Sequence, residues 1–118
     1  MSRADIINNI RRALMLAQHE EGHLAVQNIK ARISTPYPPA SAPNTPPHMR
    51  TDTLRASVDY SVQAAGPIAD LTLKVDAPYA VHLEYGTQSM APRPFVRPEV
   101  ARIRQSMPAT LRKHLDQI

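Results

Sequence analysis

His19-Glu20-Glu21-Gly22-His23 reads H-E-x-x-H, the spacing in this chain most suggestive of chemistry. On a helix the two imidazoles stand one turn apart and can ligate zinc, with Glu20 as general base. A zinc-dependent hydrolase using His19, Glu20 and His23 is therefore one reading to weigh. Three features of the sequence oppose it. The motif begins at residue 19, before any strand that could hold an extended substrate. No third ligand stands in motif context, because His48 lies among prolines and His82 and His114 are isolated. A helical wheel also sets His19 and His23 opposite Ile6, Ile10 and Leu14, on a solvent face. The pair reads as part of a polar helix face, and neither metal nor cofactor is expected.

Other catalytic chemistry finds no foothold. Ser57, Ser61, Ser89 and Ser106 lack a nucleophile-elbow context, and three glycines leave no loop to cradle a phosphate. Glu20 and Glu21, like Asp70 and Asp76, read as exposed carboxylates. The expectation is a protein that is not an enzyme.

The elements that would position these residues follow from patterning. The 118 residues make one domain, with no cysteine, no Trp and a single Phe, so a thin aliphatic core is expected. Residues 1–33 form the first unit, an N-terminal helix. Ser2 and Asp5 supply a capping box, and Ile6, Ile7, Ile10, Leu14, Ala17, Leu24 and Ala25 supply an apolar stripe. Gly22 permits a bend. Residues 34–50 carry six prolines and read as an extended linker. Residues 51–118 complete the domain. A capped turn at Thr51–Ser57 leads into two alternating runs, Val58/Tyr60/Val62 and Ala69/Leu71/Leu73/Val75, around a turn at Ala64-Ala65-Gly66-Pro67. The spacing predicts a short helix over Tyr79–Tyr85 stopped by Gly86, a loop over 87–96, and a terminal helix with Pro98 in its first turn. Val100, Ile103, Met107, Leu111, Leu115 and Ile118 form that helix's apolar stripe, and Pro108 should kink it. The fold class is α+β. No apolar run approaches the ~20 residues of a membrane helix and no signal peptide is recognisable, so a soluble chain without membrane contact is expected.

Charge is uneven. The net charge of +4 resides in residues 93–118, where Arg93, Arg97, Arg102, Arg104, Arg112 and Lys113 face only Glu99 and Asp116. A basic terminal helix offers a second reading, a small nucleic-acid-binding module whose affinity falls steeply with salt.

The segment from Ala77 to Pro98, APYAVHLEYGTQSMAPRPFVRP, is the most distinctive. Tyr79, Leu83 and Tyr85 offer apolar anchors on a short helix. Glu84 near a helix end needs a cationic partner, for which Arg93 and Arg97 are candidates. Pro92, Pro94 and Pro98 stiffen the loop, and Phe95 is its packing anchor. Tyr79, Leu83, Glu84, Tyr85, Gly86, Arg93, Pro94, Phe95 and Arg97 are the candidate subunit-interface residues.

This block resembles the signature of the gene-product-ten-like tail-component family of siphophages. Tyr79-Ala80, Glu84-Tyr85-Gly86-Thr87 and Arg93-Pro94-Phe95 carry the likeness. Thr51-Asp52-Thr53-Leu54-Arg55-Ala56-Ser57 is similar to a family segment that more often has Gly where Asp52 stands. The resemblance covers about residues 1–112. It implies a structural virion protein that completes or terminates the tail, or joins head to tail at the neck. It also implies a ring with itself, hexameric by that likeness, around the DNA channel. Other neck, connector and tail-tube proteins would be its partners, the virion its location, and the host cytoplasm its place of assembly.

Overall fold

The structure, a computed structural model, describes residues 2–34, 44, 53–65, 68–89 and 91–117. Its elements run α1 (Arg3–Arg32), α2 (Thr53–Ala56), β1 (Val58–Ala65), β2 (Ile68–Val75), α3 (Ala80–Tyr85) and α4 (Arg97–Asp116). The α+β architecture expected from patterning is what forms. Apart from Ser34 and Asn44, the proline-rich linker lies outside the described residues, as does Gly66-Pro67 of the expected turn.

Helix α1 starts where its cap dictates. The Asp5 amide donates to Ser2 Oγ and the Ser2 amide to Asp5 Oδ2, each at 3.1 Å. The buried face of α1 keeps Ala17 and Ala25 of the expected stripe but not its isoleucines. Ile6, Ile7, Ile10 and Leu24 are 46, 43, 48 and 39 % exposed, whereas Ala13, Ala17, Gln18, Glu21, Gly22, Ala25 and Ile29 are buried. The reason is that two elements press on α1 from different sides, the hairpin and α4, and small residues let both come close. Gly22 shows the tightest approach. A Cβ there would lie 2.5 Å from Tyr60 Cδ2 and 2.9 Å from Leu71 Cδ1, and α1 is unbroken across it. Gly22 serves contact with the hairpin, not a bend.

Strands β1 and β2 pair antiparallel, Val58 with Val75 through Ala65 with Ile68, without a bulge. The Asp76 amide donates to the Ser57 carbonyl and extends the ladder. The inner face packs on α1, and Ile29, Ile33, Leu54, Val58, Ala77, Ala80 and Phe95 join as the core. That core gathers at the C-terminal end of α1, because β1, α3 and the segment before α4 all converge there.

Helix α4 runs antiparallel to α1, but its contact is polar and not the expected apolar seam. Val100, Ile103, Met107 and Leu111 are only half-buried, while Glu99 is fully buried. Glu99 accepts from Asn28 at 2.9 Å and Arg102 at 2.5 Å, and pairs with Arg32 at 3.1 Å. Pro98 lies in the first turn, as expected. Pro108 lies inside α4, where it has no N–H to offer the Arg104 carbonyl.

The molecule measures 59 × 22 × 22 Å with a radius of gyration of 17.3 Å. A compact chain of this length would have about 13–14 Å. It is a rod, and its two ends differ.

Candidate interaction surface and the buried carboxylates behind it

Glu84 organises the signature segment. It sits on the inner side of α3 and is buried. Its Oε1 accepts the backbone amides of Phe95 at 3.0 Å and Val96 at 2.8 Å, and its Oε2 accepts that of Arg97 at 3.3 Å. The carboxylate thus caps the first turn of α4, where free amides and the helix dipole favour an anion. Arg97 returns the contact. Its Nη2 donates to the Glu84 carbonyl at 2.7 Å, its Nε lies 3.5 Å from Oε2, and its guanidinium stands 4.9 Å over the Tyr85 ring. Each end residue therefore closes the other's helix terminus. Of the two arginine partners expected for Glu84, Arg97 is the one in place.

The rest of the segment folds around this clasp. Gly86 takes φ 78°, a conformation open to glycine at little cost, and its amide closes α3 on the His82 carbonyl. The Arg93 amide donates to the Leu83 carbonyl at 2.6 Å, and Pro92 accepts from Asn44, which lies at φ 64°. Phe95 is fully buried, Pro94 is half-buried, and Leu83 packs against the core. Of the candidate interface residues, Glu84 is buried on the amides that it caps, Phe95 is buried in the core, and Leu83 is half-buried against that core. The surface that the segment presents is Tyr79, Val81 and Tyr85, at 42, 63 and 63 % exposure, with the exposed His82 between them.

The H-E-x-x-H residues diverge. His19 Nδ1 lies 3.2 Å from the Tyr60 hydroxyl, His23 contacts Gln27, and Glu20 pairs with Lys113 at 2.5 Å. Among the described residues no three His, Cys, Asp or Glu side chains are grouped to hold a metal. Glu21, expected to be exposed, is buried. It accepts from Arg102 at 2.9 Å, Ser106 at 2.9 Å and Thr110 at 2.8 Å. Burial pushes its carboxyl up, but these hydrogen bonds and the Arg102 charge outweigh that and hold its pKa below the ordinary value.

The basic terminal segment is largely spent within the fold. Arg102 spans Glu21 and Glu99, Lys113 holds Glu20, and Arg97 holds Glu84. Arg104 and Arg112 remain exposed. Sequence reasoning missed the Glu21–Arg102–Glu99 network. Its trace was a polar stripe at helical spacing on α4, Glu99, Arg102, Ser106, Thr110 and Lys113, beside the apolar one.

No family model, curated protein or solved structure matches the chain. Among the described residues no helix is long and apolar enough to cross a membrane.

Proposed function

We propose that this chain is a structural subunit of the neck or tail-completion apparatus of a long-tailed bacteriophage, assembling with itself into a ring. The Glu84–Arg97 clasp carries the reading. It builds the residues of the signature block into one braced unit and turns Tyr79, Val81 and Tyr85 outward beside it. Two aromatics and a valine on a braced helix suit a protein contact, since rigid anchors lose little entropy on docking. A rod with unlike ends suits head-to-tail contacts, which close into rings. No catalytic step is assigned to it.

Val81→Asp with Tyr85→Asp tests the docking face. Both residues are exposed, and only Tyr85 makes a contact within the clasp, its ring under Arg97, so the circular dichroism spectrum should stay near wild type and the melting temperature fall by only a few degrees. Sedimentation velocity of the wild-type chain, alone or with its neck partners, should show a closed oligomer that the double variant fails to form. An oligomer unaffected by the double substitution would remove α3 from the contact.

A further inference from the structure

Strand β2 has an unpaired outer edge, and the apolar stripe of α4 lies on the side to which that edge faces. We propose that edge and stripe together take an extended segment of another protein, added to the hairpin as a third strand.

The register shows which backbone groups are free. The Asp76 amide donates to the Ser57 carbonyl, so the hydrogen-bonded pairs that follow are Asp59 with Lys74, Ser61 with Thr72 and Gln63 with Asp70. The residues between them, Tyr60 on β1 and Ala69, Leu71 and Leu73 on β2, turn amide and carbonyl outward. Two side chains agree with that alternation. The Tyr60 amide donates to Asp59 Oδ1 at 2.8 Å, and the Ala69 carbonyl accepts from Gln18 Nε2 at 2.7 Å. The outward groups of Leu71 and Leu73 have no partner among the described residues. Such an edge is a template for another strand.

The stripe stands where the side chains of that strand would fall. Around α1, Glu21 reaches α4, Gln18 reaches β2 and His19 reaches β1. The order is therefore α4, β2, β1, and the free edge of β2 faces the α4 side. On α4, Glu99, Arg102, Ser106 and Thr110 face α1. Half-buried Val100, Ile103, Met107 and Leu111 lie about a quarter turn from them, and the antiparallel pairing of two right-handed helices sets that quarter on the hairpin side. A third strand stands about 4.8 Å beyond β2. Helices packed about 8–10 Å apart place it over the seam of α1 and α4, with its inward side chains on the stripe. The edge of β1 offers neither feature, since Asp59 occupies the Tyr60 amide and exposed His19 lies beneath.

Elimination names the occupant. Residues 35–47 hold six prolines and cannot keep a ladder, in this chain or in a second copy. A second copy's β1 carries its own α1 beneath it, where α4 already stands. The segment therefore belongs to another protein and carries apolar residues at alternate positions. Its outward residue beside Asp70 is basic, because Asp70 stands opposite Gln63 and has no cation across the sheet.

The probe is the peptide acetyl-Val-Thr-Val-Thr-Val-Lys-Val-amide, N-methylated at both threonines and the lysine so that only the amides of its valines can donate. Titrated into the 15N-labelled full chain, it should shift the amides of Leu71 and Leu73 with Kd on the order of 100 µM. The isomer N-methylated at the valines should not bind. Met107→Lys should weaken the probe at least about tenfold. Asp70→Lys, an exposed change that leaves the core alone, should weaken it about two- to fivefold. No shift at about 2 mM probe overturns the site, as do shifts confined to β1 or equal binding of the two isomers. Shifts of Leu71 and Leu73 that grow with protein concentration in the absence of probe would give the edge to a second copy and also overturn it.

Discussion

A buried carboxylate that caps a helix from another element fixes how two stretches of chain meet, and removing it leaves buried donors unpaired. Glu84 does this for α3 and α4. Removing it strands the amides of Phe95, Val96 and Arg97 at the first turn of α4. Glu84→Ala should therefore cost about 2–4 kcal/mol, read as a lower urea midpoint, while Glu84→Asp should recover only part because its shorter arm falls away from the amides. Glu21 makes a prediction in pH. Its folded-state pKa lies below the ordinary value of 4.5, so the folded state holds its proton less tightly than the unfolded chain does. The stabilisation is complete above about pH 4.5 and is lost as pH falls through the lowered pKa. Urea titrations across pH 3–7 should show Glu21→Gln less stable than wild type at pH 7, with the difference shrinking on acidification. An unchanging difference would mean that Glu21 acts by shape and not by charge.

At the scale of elements, Gly22 sets how closely the hairpin lies on α1. Gly22→Ala gains about 1 kcal/mol of helix propensity. It also drives a Cβ into Tyr60 and Leu71, at a cost of about 1–3 kcal/mol. The clash should win, lowering the melting temperature, and Tyr60→Ala in the same chain should relieve part of the loss. The elements themselves were legible in the sequence where periodicity or a cap decides them. The Ser2–Asp5 box, the alternation of β1 and β2, Gly86 and Pro98 each marked a boundary correctly. The faces were not legible for α1 and α4, because each serves more than one neighbour. Ile6, Ile7 and Ile10 made the stronger apolar signal, yet Ala13, Ala17 and Gly22 are buried because small side chains admit a close neighbour. Glu21 and Glu99 looked like solvent residues, since nothing local announces that Arg102 reaches Glu21 from 81 positions away or that α1 closes over Glu99. The candidate site was half legible. The sequence singled out Tyr79 and Tyr85, which lie on the surface, together with Glu84 and Phe95, which hold that surface up from within.

The whole molecule is a rod about 59 Å long whose core, clasp and aromatic face lie toward one end and whose bare isoleucines lie toward the other. A subunit of this form gains by assembly, because each end leaves apolar area in water that a neighbour can cover. The ring and the neck are the central proposal, and on that proposal a phage encoding the chain tests them most directly. Electron microscopy of a lysate lacking this protein should show DNA-filled heads and separate tails, with joined particles restored by the wild-type chain and not by Val81→Asp/Tyr85→Asp. Complete, infectious particles in its absence would contradict the account.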